Sequence, residues 1–267
     1  MHKMMLRTLL VGWGWGLSVA PVLAGPIAID YLSAFIAAPQ LNSNALEDTR
    51  VGFGFNEFEA AGLAVAFTHR LDANHYGSVT WTVTNATGQN LADVRFFGFL
   101  DAEIDELTTS AFNEYGTLRR VDGAGASDPN PDYWEIDEPG FSFGDIYTNL
   151  LAGALDNANA VPAGSTWDVS LALGFQVGDL LVDQRLVATF EISDQDIGGL
   201  SHTDAFSNTT LFFNGSVQVQ SATRIPEPHA LGLFGLGLMG LANAVARRAA
   251  RTRSRTYPGR RIAVRTE

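Results

Sequence analysis

Residues Ser78-Val79-Thr80-Trp81-Thr82-Val83-Thr84 alternate apolar and hydroxyl-bearing side chains without a break. A period of two puts Val79, Trp81 and Val83 on one face and the threonines on the other, a pattern that fits a half-buried antiparallel strand and no helix. Asn85-Ala86-Thr87-Gly88 follows with turn chemistry. Residues 91–100, with Val94, Phe96, Phe97 and Phe99, read as a more apolar and therefore central strand, paired with the first in a hairpin. Alternation returns at residues 166–175 and 186–192, and residues 27–36, 50–59 and 63–69 are further strand candidates. The dipeptide Asn214-Gly215 lies between strand-like flanks and predicts a tight hairpin, because both residues tolerate positive φ. One short helix is expected over residues 143–152, where Ile146, Leu150 and Leu151 share a face. Roughly eight strands with polar turns point to an all-β protein, an antiparallel β-sandwich of Ig-like or jelly-roll-like kind.

The two ends have a different character. Lys3 and Arg7, an apolar stretch over residues 9–19 and the small-residue site Val22-Leu23-Ala24 make residues 1–24 a predicted secretory signal peptide. Near the other end, Arg224-Ile225-Pro226-Glu227-Pro228-His229 cannot be helix interior, since each proline lacks a backbone donor and biases its predecessor away from helix. Residues 230–246 then run without a charge, short for a transmembrane helix but too apolar for a soluble one. Arg247, Arg248, Arg251, Arg253 and Arg255 supply a stop-transfer cluster, because positive flanks stay on the cytoplasmic side. The expected division is a signal peptide (1–24), an exported acidic β-sandwich (25–223), a C-terminal signal (224–255) and a basic cytoplasmic tail (256–267).

The order of Pro226-Glu227-Pro228, a short Gly- and Leu-rich span and an arginine cluster closely resembles the sorting signal of PEP-CTERM proteins. That resemblance implies recognition in the inner membrane by an exosortase-type sorting enzyme, and then delivery to the cell surface or an extracellular polysaccharide matrix. It also implies a structural or adhesive role. The same three parts without cutting would make a plain membrane anchor. Gly232, Gly235, Gly237 and Gly240 weaken the span as a helix, as suits a protease substrate. Residues 77–193 resemble, more loosely, β-sandwich modules of exported bacterial proteins, with no chemistry attached.

Charge narrows the function of the middle. Residues 25–224 hold 27 acidic and 7 basic residues, which argues against nucleic acid and in favour of cations. Without cysteine, an exported chain must be held by its core, by sheet pairing or by bound ions. Asp101, Glu103 and Asp105 follow a strand at alternate positions and would crowd on one side. They are a candidate Ca²⁺ site or, alternatively, a solvated acidic loop; the spacing is not that of an EF-hand. Residues 128–140 mix acids, turn formers, Tyr133 and Trp134, and read as a loop. Its two aromatics either stack on a sugar or pack against the sandwich. No cofactor is required, and no catalytic residue is assigned: a glycosidase needs two carboxylates at a defined distance, which spacing in sequence does not supply. The histidines have no zinc-ligand spacing, and Ser201-His202-Thr203-Asp204 reads as a turn. A calcium-dependent or carbohydrate-binding module on a plain anchor is the alternative function, and an extracellular glycan hydrolase ranks below it.

Overall fold

The computed structural model describes residues 27–104, 113–119, 131–165 and 167–221. The signal peptide, the Pro-Glu-Pro triplet, the span, the arginines and Asp105 lie outside the described residues. Among the described residues no helix is long and apolar enough to cross a membrane.

Among the described residues the strands form two antiparallel sheets. The first runs β2 (Leu46–Val51), β1 (Ile27–Ala37), β5 (Leu91–Ile104), β8 (Ser170–Leu180) and β7 (Tyr133–Asp137). The second runs β3 (Leu63–Leu71), β4 (Gly77–Asn85), β9 (Arg185–Ser193), β11 (Thr210–Gln220), β10 (Gly199–Asp204) and β6 (Glu114–Arg119). Two short helices among the described residues, α1 (Glu57–Ala60) and α2 (Ile146–Ala152), interrupt them.

The alternation in β4 becomes a core as expected. Val79, Trp81 and Val83 are fully buried and join Phe96, Leu100 and Leu171 of the other sheet in one apolar cluster. Phe190 is central, with ring centroids 5.5 Å from Phe213, 5.9 Å from Trp81 and 6.3 Å from Phe96. Burying each such ring stabilises the fold by roughly 1.5–3 kcal/mol. A second cluster lies on the opposite face of β1 and β5, where Ile146 and Leu150 of α2 cover Phe35, Phe97 and Phe99. β5 is therefore apolar on both faces, which is why its sequence is nearly continuous in hydrophobics.

Several local expectations are corrected. β4 and β5 are not a hairpin: they belong to different sheets, and the turn between them crosses from one to the other. Fully buried Asn85 holds that crossing, donating through Nδ2 to the carbonyls of Gln89 (2.9 Å) and Leu180 (2.8 Å). Asn214-Gly215 is no turn either but the middle of β11. The glycine there serves packing, because a Cβ would come 2.6 Å from the Phe190 ring. Leu151 of α2 is exposed although Ile146 and Leu150 are buried. Residues 52–59 leave the strand after Val51 and form a bend and α1. Ser201-His202-Thr203-Asp204 is buried strand β10, not a turn.

Candidate metal centre

β5 carries its acids inside the sheet, not in a loop beyond it. Asp101 and Glu103 are each 7 % exposed and share the strand face of Phe97 and Phe99, opposite Leu100, Ala102 and Ile104. The predicted alignment of Asp101 with Glu103 thus holds, while the solvated-loop alternative does not for these two. Their neighbours come from elsewhere in the chain. β6 begins with Glu114, 1 % exposed, whose N–H donates to the carbonyl of Trp167 at 3.4 Å. That bridge brings Asp168, two residues ahead of β8, beside Glu114. Carboxylate oxygens of Glu103, Glu114 and Asp168 all lie within 4.8 Å of one another.

Three ionised carboxylates at that separation would repel by about 3–4 kcal/mol per pair at an effective dielectric constant of 20. Burial adds to the cost. Both effects push protons onto the groups: burial and then Glu114 raise Glu103 to about 9, and burial and then Asp168 raise Glu114 to about 9. Asp101, buried and facing Asp168, rises to about 7 even though Ser170 Oγ donates to it at 2.9 Å. Asp168 itself is raised by burial.

The polypeptide does little to solvate these oxygens. Among the described residues Glu103 Oε2 has no hydrogen-bond partner, and neither oxygen of Glu114 has one with good geometry. The backbone N–H groups of Ile104 and Val169 lower the Glu114 pKa in part, but neither reaches the carboxylate at hydrogen-bond geometry. His202 Nε2 lies 2.8 Å from Glu114 Oε2, yet it is out of line for a hydrogen bond. Complete burial drives His202 down to about 4, against the pull of the Asp168 and Asp204 charges, which favour its protonated form. Asp204, beside it in β10, accepts from the N–H groups of Phe206 (2.8 Å) and Ser207 (2.6 Å) through Oδ1. A cleft of about 310 Å³ reaches Asp101 and Asp168 from solvent, walled by Glu138, Phe141 and Phe143. The arrangement can do one thing plainly: concentrate hard oxygen donors where a cation or protons must balance them.

Of these groups, only Asp101 and Glu103 carried a sequence signal, their spacing of two after a strand. Glu114 and Asp168 stand alone in sequence and meet only through the β6 bridge. His202 and Asp204 lie in four consecutive polar residues, Ser201-His202-Thr203-Asp204, which carry no alternation to mark a strand.

The aromatics Tyr133 and Trp134 lie in β7, so the predicted loop is a strand there. Tyr133 packs against Phe97 (ring centroids 6.2 Å) and its hydroxyl donates to Gln176 Oε1 at 3.1 Å. Trp134 packs against the core between the sheets. The two side chains take opposite faces and share no single surface. A second acidic group, Glu135, Asp145 and Asp156, differs from the first. Glu135 is buried but accepts from Asn149 Nδ2 (2.9 Å) and the Asp156 N–H (3.0 Å), and its two companions are exposed.

No curated protein and no solved structure matches the chain. The family model of the PEP-CTERM protein-sorting motif matches residues 224–249, so this chain carries that sorting signal near its C-terminus, which implies a membrane-associated precursor processed by an exosortase-type enzyme and exported to the cell surface or extracellular space.

Proposed function

We propose that the chain is a structural or adhesive component of the cell surface or extracellular polysaccharide matrix, with the β-sandwich as its working part. The match of residues 224–249 to the sorting motif carries this reading, since such a signal delivers its passenger to that place. Two features of the passenger support it. Its acidic composition suits a matrix bridged by cations. In the cluster of Glu103, Glu114 and Asp168, burial and mutual repulsion raise Glu103 and Glu114 together, whereas a glycosidase holds one carboxylate raised and the other ionised. In this reading the sandwich binds and holds, and it is not an enzyme.

Co-sedimentation with polysaccharide isolated from the host tests the role. The mature protein is expected to pellet with the polysaccharide, and a strain lacking it to lose surface or matrix cohesion. Failure to pellet with unchanged cohesion would contradict the role, as would release of new reducing ends from the polysaccharide.

A further inference from the structure

We propose that Glu103, Glu114 and Asp168 bind one calcium ion, and that this ion ties the two sheets together at one end in a chain that has no cysteine for a disulfide. Glu103 belongs to β5 and Asp168 to the lead-in of β8, both in the five-stranded sheet, whereas Glu114 opens β6 of the six-stranded sheet. A shared ligand is therefore a cross-link between layers.

Geometry sets the fit. Oxygens on one calcium ion stand about 2.3–2.6 Å from it, so any two are at most about 4.6–5.2 Å apart. The three carboxylates present oxygens within 4.8 Å of one another. The independent sign of a ligand is Glu103 Oε2: the residue is more than nine-tenths buried, its carboxylate is directed into the cluster, and among the described residues Oε2 has no hydrogen-bond donor. Glu114 is almost wholly buried beside it, with His202 Nε2 2.8 Å from its Oε2. A buried acceptor left without a donor destabilises the fold, more if charged, and the fold shows elsewhere that it can supply donors. Glu47 accepts from Tyr31, Ser33, Thr49 and Tyr147 hydroxyls at 2.6–2.9 Å.

The donor set selects the ion. All three ligands are hard oxygens, and three carboxylates that can bind in bidentate fashion approach the six to eight positions calcium takes. Magnesium demands an octahedron at about 2.0–2.1 Å and keeps most of its water, for which a buried, three-carboxylate site is poorly built. Asp168 also lines the solvent cleft that holds Asp101, so one of the three ligands is reached from solvent. Of the residues first grouped by sequence, Glu103 is a ligand and Asp101, held by Ser170, lines the approach. Calcium binding is independent of whether the tail is cut.

The full chain, purified in detergent and stripped with EDTA, is melted with CaCl₂ and, separately, with MgCl₂. Calcium at a hundredfold excess over Kd is expected to raise the Tm of the wild type by about 5–10 °C, with one ion bound per chain, and magnesium to raise it by less than half as much. Asp168→Asn, at a part-exposed position, is expected to weaken calcium at least tenfold, and the pair Glu103→Gln with Glu114→Gln to abolish the shift while keeping the far-UV circular dichroism of a β protein. If the pair does not fold, Asp168→Asn decides. No calcium shift in the wild type, an equal shift in Asp168→Asn, or an equal response to magnesium would each overturn the proposal.

Discussion

Glu47 and Glu103 are both glutamates buried in the same sheet, and they are buried by opposite means. Glu47 sits in a ring of four hydroxyl donors, while Glu103 is offered none at its Oε2 and faces other carboxylates. Glu135 lies between these cases: it has two donors, yet burial still raises it to about 7 from an ordinary 4.5. The folded chain thus keeps that proton to higher pH than the unfolded chain. Its contribution to stability is complete below about pH 4.5 and is lost as pH rises to about 7. Glu135→Gln does not titrate, so urea unfolding at about pH 4.5 and about pH 7.5 should show the variant gaining about 1–3 kcal/mol on the wild type across that window. A difference independent of pH would contradict this account of Glu135. None of these distinctions is visible in sequence, where an acid in a donor ring and an acid facing other acids are the same letter.

At the scale of the strand, periodicity was legible and partnership was not. β4 and β9 were readable because one face is buried and the other is half-exposed. β5 was readable as central from its two-sided apolarity, but its sheet could not be told from the turn that precedes it. Asn85-Ala86-Thr87-Gly88 has the composition of a hairpin turn, and only the long-range bonds of Asn85 show that it bridges layers. Gly215 misleads for a related reason: it is a glycine kept for closeness, not for positive φ. Gly98 of β5 is another, since any Cβ there would run into the Phe190 ring from the opposite sheet. Gly98→Ala is accordingly expected to destabilise the sandwich by about 1–3 kcal/mol, measured by chemical denaturation, because the ring cannot withdraw from a packed aromatic cluster. An unchanged midpoint would mean that the two sheets part more easily than this packing implies.

For the molecule as a whole, the most specific information lay in a short segment near the C-terminus. Residues 224–249 state a destination, and they could be read directly because a sorting signal is recognised as a linear order of triplet, span and charge. The β class of the middle followed from alternation, and its acidity from counting. What the middle binds could not follow, because the carboxylates that converge there come from β5, β6 and the lead-in to β8. The central claim is that this sandwich is a passenger delivered by its tail. The mass and location of the mature protein in its own host, with the C-terminal boundary mapped by mass spectrometry, test that claim most directly. A product that ends near Pro228 and is found at the surface or outside the cell is predicted. A chain intact through Glu267 and retained in the inner membrane would contradict it.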